Sequence, residues 1–204
     1  MEILLAAAAA YLLGAVPFGL LFSRAFGKRD PREAGSGNIG ATNVLRTGGR
    51  LVGALTLLAD IGKGAAPVAI AVGLSASELL VACVAMAAFL GHIFPVYLGF
   101  QGGKGVATMF GVIMPWQPLI AVGALATWVV TLVVTRYVSL ASIAAGIAMP
   151  VLAWLGNASM VILATTLLLA VIMTLRHSSN IRRLLAHTEP TIGEDKKARM
   201  AEDQ

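Results

Sequence analysis

Long apolar runs separated by short polar turns dominate the chain. Six of them, residues 3–22, 51–74, 79–100, 116–135, 138–155 and 160–175, come close to the roughly 20 residues that a helix needs to cross a bilayer core. A seventh, residues 106–114, is short and stops at Pro115. A helix of that length is tolerated in a membrane only where protein or water covers its ends. The pattern predicts an all-α integral membrane protein: a bundle of seven transmembrane helices, one of them short, with Gly and Ala allowing close packing.

Composition agrees with this picture. The chain is 58% hydrophobic and 12% charged, with mean hydropathy +0.84, whereas soluble domains carry about 25% charged residues. Little is left over for a soluble domain. The expected organisation is one transmembrane catalytic domain, residues 1–187, and a polar, frayed cytoplasmic tail, residues 188–204. The single cysteine, Cys83, lies inside an apolar run, so no intrachain disulfide is possible. The N-terminus begins with an acidic residue, Glu2, and its positive charge follows the apolar run; a first helix fits this better than a secretory signal.

The basic residues orient the bundle. Arg24, Lys28, Arg29, Arg32, Arg46 and Arg50 follow the first run, Lys104 the third and Arg136 the fifth; Arg176, Arg182, Arg183, Lys196, Lys197 and Arg199 follow the last. The intervening turns, residues 75–78, 115–118 and 156–159, contain none. Seven crossings with the N-terminus outside put every basic loop in the cytoplasm; six would not. The net charge of +5 is then largely a positive-inside signature, and no nucleic acid partner is expected.

Three basic segments also carry amide side chains, the first two with glycines: SGNIGATNVLR (residues 36–46), GHIFPVYLGFQGGKG (91–105) and RHSSNIRR (176–183). Residues 35–40 match G-x-G-x-x-G, but no predicted strand precedes them, so a dinucleotide-binding reading fails. The glycines still let backbone amides approach an anion. Ser36, Asn38, Thr42 and Asn43 add side-chain donors, and Arg46 can clamp a phosphate. The segment Gly102-Gly103-Lys104-Gly105 resembles a phosphate loop but departs from it at Leu98 and Gly105, which argues against a nucleotide triphosphatase. A lysine on a glycine turn at a helix start remains a good phosphate site. His177 and Asn180 share a helical face, and His177 could bind phosphate or act as a general base. Asp60 and Lys63 are intramembrane charges that can pair; their expected role is structural. His92 is either a core histidine or an indirect support of the site. Ser139 is a plausible cap and Ser142 a weaker substrate contact.

No H-x-x-x-x-D acyltransferase dyad is present, since Tyr97, Arg182 and Ile192 stand five residues after the three histidines. There is no G-x-S-x-G elbow and no metal-ligand pattern. An enzyme built on these segments needs an electrophile that arrives activated, with catalysis by positioning and electrostatics.

On the three motifs, the intramembrane Asp60-Ile61-Gly62-Lys63-Gly64, the Val106-Ala107-Thr108 continuation and HSSNIRRLLAHTEP, the sequence resembles the PlsY family of bacterial membrane glycerol-3-phosphate acyltransferases over nearly its whole length. One departure is His187, where the family typically has glycine. The resemblance implies transfer of an acyl group from acyl-phosphate to the 1-hydroxyl of sn-glycerol 3-phosphate, giving lysophosphatidic acid and phosphate. It implies no cofactor and no metal, and a location in the bacterial cytoplasmic (inner) membrane with the site facing the cytoplasm; a monomer is expected. On this basis Ser36, Gly37, Asn38, Gly40, Thr42 and Asn43 are expected to cradle the acyl-phosphate. Arg46, Lys104, His177 and Asn180 would hold glycerol 3-phosphate, with Gly102, Gly103 and Ser142 as further substrate contacts. His177 or a substrate phosphate would take the hydroxyl proton.

Two other classes share the basic face. A transporter of an anionic, phosphate-containing solute would place its binding groups near the midplane and show inverted repeats. A lipid-binding scaffold would need charge alone.

Overall fold

The computed structural model describes residues 1–193, and every regular element among them is helical. They fall into two compact units, Met1–Ala121 and the chain from Val122 onward.

The first unit contains α1 (Glu2–Ala15), α2 (Phe18–Ala25), α3 (Ala41–Gly48), α4 (Arg50–Gly73), α5 (Glu78–Ile93) and α6 (Val106–Ile113). The first apolar run is therefore two helices. Pro17 lacks an N–H and pushes the residue before it out of the helical region, and Val16 is extended, at φ −60° and ψ 119°. The opened carbonyl of Val16 accepts from the Lys63 ammonium of α4 at 2.9 Å. Helix α5 starts at a Ser77 cap, whose side chain accepts from the Leu80 amide at 3.3 Å. It ends just before Pro95. The neighbours α1 and α5 approach closely: a Cβ on Gly91 would strike the backbone of Tyr11. In the same way α4 meets α6, where a Cβ on Gly111 would strike the Ile61 backbone.

The second unit holds most of α7 (Pro118–Thr135), then α8 (Val138–Leu155), α9 (Met160–Arg176) and α10 (Ser178–Leu185). The Ser159 side chain caps α9 by accepting from the Ile162 amide at 3.2 Å. At His177 the chain bends by 62° into α10. Past α10, His187 is left-handed at φ +56°, and Thr188 donates back to the Arg183 carbonyl at 2.8 Å. Glycine is the residue that fits such a helix stop most easily, so the departure noted at His187 falls on a position whose conformation favours glycine.

Five stretches are long and apolar enough to cross a membrane: Glu2–Ala25, Arg50–Gly73, Glu78–Leu98, Pro118–Thr135 and Val138–Leu155. The bent pair α9 and α10 makes a sixth candidate. Helix α6 is a real helix of eight residues, mostly buried; at 1.5 Å per residue it is about 12 Å long, short of the ~30 Å core.

Candidate active site

The segment 36–46 is half loop and half helix, and Asn43 holds the loop together. Asn43 sits in the first turn of α3, buried. Its Oδ1 accepts from the Ser36 amide at 2.8 Å, and its Nδ2 donates to the carbonyls of Pro31 at 2.7 Å, Ala34 at 3.0 Å and Asn38 at 2.8 Å. The Gly37 amide donates to Ala34 and the Gly40 amide to Asn38 Oδ1. The amides of Ser36, Gly37 and Gly40 are thus spent on the fold of the loop. The expectation that glycine amides form an anion nest is corrected at these three positions: each amide turns inward because the buried Asn43 or a neighbouring acceptor captures it. Ser36, Gly37 and Thr42 are exposed, while Asn38, Gly40 and Arg46 are half-buried. Upstream, Asp30 grips Arg32 through a 2.6 Å ion pair. That hydrogen bond from Arg32 outweighs burial and holds the Asp30 carboxyl below its ordinary range.

The turn at 102–105 rests on the end of α5. The Gly103 amide donates to the His92 carbonyl at 3.1 Å. A Cβ on Gly103 would overlap the His92 imidazole, and one on Gly102 would strike the His92 carbonyl. Here the glycines serve close approach to α5. Lys104, which follows them, is half-buried. Behind the turn, Asp60 and Lys63 of α4 form a 2.8 Å ion pair, with side chains 3% and 2% exposed. The His92 ring nitrogen Nδ1 lies 3.7 Å from Asp60 Oδ1, an electrostatic contact longer than a hydrogen bond.

In the second unit His177 and Asn180 are both buried where α9 bends into α10. His177 Nδ1 lies 2.8 Å from the Met173 carbonyl. A carbonyl only accepts, so Nδ1 bears the hydrogen and Nε2 carries the lone pair in the neutral ring. Asn180 donates to Glu189 Oε1 at 2.6 Å, and Arg183 donates to Oε2 at 2.7 Å. Burial pushes the Glu189 carboxyl up, but hydrogen bonding from Ser139, Asn180 and Arg183 outweighs it, and the group titrates below its ordinary value. The Ser139 hydroxyl falls short of a well-formed hydrogen bond yet lies near enough to contribute to that shift. Ser142 is committed within the unit: its hydroxyl donates to Val138 at 2.8 Å and accepts from the Trp128 indole at 3.3 Å.

Glu189 is the residue that sequence reasoning missed. It lies beyond the boundary expected at residue 187, yet it is 8% exposed. The chain stays attached after it, since Ile192 exchanges hydrogen bonds with Arg136. The lone carboxylate within HSSNIRRLLAHTEP was the available signal. The rest of the expected tail, residues 194–204, lies outside the described residues. Among the described residues, no group of three or more His, Cys, Asp or Glu side chains is placed to hold a metal ion.

Comparison with known proteins bears on the whole chain. Residues 4–187 match a family model described as glycerol-3-phosphate acyltransferase. A glycerol-3-phosphate acyltransferase of Syntrophotalea carbinolica is 47% identical over 182 residues, covering 89% of this chain and 93% of that protein. One from Geobacter sulfurreducens is 49% identical over 186 residues, covering 91% and 95%. A crystal structure of PlsY, an integral membrane glycerol 3-phosphate acyltransferase, in its glycerol 3-phosphate form superposes with a TM-score of 0.91 at 36% identity, over 95% of this chain and 96% of that one. A second, of the lysophosphatidic acid form, gives 0.87 at 35% identity with the same coverage.

Proposed function

The chain belongs to the PlsY family of integral membrane glycerol-3-phosphate acyltransferases, and from that premise we propose that its donor is acyl-phosphate and its product lysophosphatidic acid. The acyl carbon of the donor is attacked by the 1-hydroxyl of sn-glycerol 3-phosphate. The new ester C–O bond forms, the anhydride C–O bond to phosphate breaks, and the hydroxyl proton ends on the released phosphate or the solvent. The observation that carries the reading is the likeness, over 95% of the chain, to a family structure in a glycerol 3-phosphate form. The residue chemistry supports it. A mixed anhydride needs no protein nucleophile, and the motifs carry neither a serine elbow nor a His–Asp dyad; it needs cations and donors for two phosphates, and the motifs are rich in them.

Arg46, Lys104, His177 and Asn180 hold glycerol 3-phosphate. Ser36, Asn38 and Thr42 meet the acyl-phosphate through their side chains, while Gly37, Gly40 and Asn43 shape the loop that presents them. Gly102 and Gly103 let Lys104 stand on α5, and Ser142 is a further substrate contact. Proton removal falls to His177 Nε2 or to a substrate phosphate. The basic loops support a site facing the cytoplasm of a bacterial inner membrane, with the N-terminus outside and α6 as the short seventh crossing. The protein acts as a monomer, with its acyl groove open to lipid.

The test uses purified protein, labelled glycerol 3-phosphate and palmitoyl-phosphate. Wild type should form labelled lysophosphatidic acid. Lys104→Ala should fold and make none. Full activity in folded Lys104→Ala would contradict the assignment of the acceptor site.

A further inference from the structure

A buried ion pair sits in the middle of α4, and such pairs are weak contributors to stability compared with well-packed apolar residues. Asp60 and Lys63 are one turn apart, so their mutual contact joins nothing that the helix does not already join. Their other contacts suggest what they are for. The Lys63 ammonium reaches the Val16 carbonyl at the break of the first span, at 2.9 Å. The Asp60 carboxylate faces His92 Nδ1 at 3.7 Å. The Asp60 backbone carbonyl accepts from Thr108 Oγ1 at 3.1 Å.

These contacts bracket the turn that carries Lys104. On its near side, His92 accepts the Gly103 amide on its carbonyl and fills with its ring the space of a Cβ at residue 103. On its far side, Thr108 lies in the first turn of α6 and is tied to the same Asp60. Gly105, at φ +83°, closes the turn against the Phe89 ring of α5. Both anchors of the turn therefore meet at one residue of α4.

We propose that Asp60, Lys63 and His92 are positioning residues that fix the 102–105 turn where Lys104 presents its ammonium to the phosphate of glycerol 3-phosphate. Lys63 compensates the Asp60 charge and ties it to the broken first span. Asp60 orients the His92 imidazole, and His92 supports Gly103. The inference rests on the acceptor-site reading of Lys104.

The test compares wild type with Asp60→Asn, His92→Gln and Thr108→Val, all as full-length protein in detergent. The Thr108→Val variant cuts the far anchor without touching a charge, so it is available should the charged positions fail to fold. KM for glycerol 3-phosphate should rise by about ten- to a hundredfold, as expected when a binding group is misplaced by an ångström or so. KM for palmitoyl-phosphate should stay within about twofold, whereas a general loss of folded protein would lower the rate and leave both KM values unchanged. Hydrogen exchange of peptides covering residues 99–105 should speed up, while that of residues 78–90 should not. Unchanged exchange at 99–105 in the folded variants, or equal changes in both KM values, would overturn the proposal. Full activity of Lys104→Ala would sink the acceptor-site reading instead, and the exchange result would still decide whether the triad positions the turn.

Discussion

Asn43 accepts the Ser36 backbone amide across seven residues, at 2.8 Å, and its own amide group closes on three carbonyls of the same loop. A single side chain thus replaces the ladder that a strand or helix would supply. Asn43→Ala should leave buried backbone groups unsatisfied, at about 1–3 kcal/mol. We expect a lower melting temperature, faster trypsin cleavage at Arg32, and loss of turnover. Unchanged cleavage at Arg32 would argue against Asn43 as the organiser of the loop.

His187 occupies a left-handed helix stop. For a residue with a Cβ this costs about 1–2 kcal/mol, partly offset by the extra freedom that glycine brings to the unfolded chain. His187→Gly should therefore stabilise the protein by about 0.5–1 kcal/mol, read as a raised melting temperature, and leave activity unchanged. Destabilisation would mean that the imidazole makes a contact that matters.

The Glu189 clasp should weaken in acid. The folded carboxyl titrates below its ordinary value of 4.5, so the folded state binds this proton less tightly than the unfolded one. Its contribution is complete above the ordinary glutamate range and is lost as pH falls from there through the lower folded value. Hydrogen exchange of residues 186–193 should accelerate on going from pH 7 toward pH 4 beyond the intrinsic trend. In Glu189→Gln it should be fast throughout, with no such extra dependence. A flat profile in wild type would contradict the clasp.

Arg46 is expected to clamp phosphate with a planar fork that lysine cannot reproduce. Arg46→Lys should keep the fold and raise KM for glycerol 3-phosphate about tenfold, the value of one charge-assisted hydrogen bond. An unchanged KM would remove Arg46 from the acceptor site.

The apolar runs announced the helices well because hydropathy and length are local properties. The run 138–155 is α8 to the residue, and 160–175 differs from α9 by one. The break at Pro17 was also written locally, but the unbroken hydrophobicity around it masked the proline. The site was legible as residue types and not as connections. That Asn43 faces inward, that the Gly103 amide is taken by His92, and that Glu189 clasps Asn180 all depend on groups five to twelve residues away in sequence. Periodicity carries no information about such partners. The sequence presents the 102–105 glycines as a turn carrying a phosphate-binding lysine; that Gly102 and Gly103 also approach the end of α5 is visible only in the fold.

The central claim is that acyl-phosphate is the donor and glycerol 3-phosphate the acceptor at one site. Phosphate release from palmitoyl-phosphate by the purified protein, with and without glycerol 3-phosphate, tests it most directly. The account predicts release that depends on the acceptor and matches lysophosphatidic acid mole for mole, with palmitoyl-CoA inert. Release that ignores the acceptor, or transfer from palmitoyl-CoA alone, would contradict it.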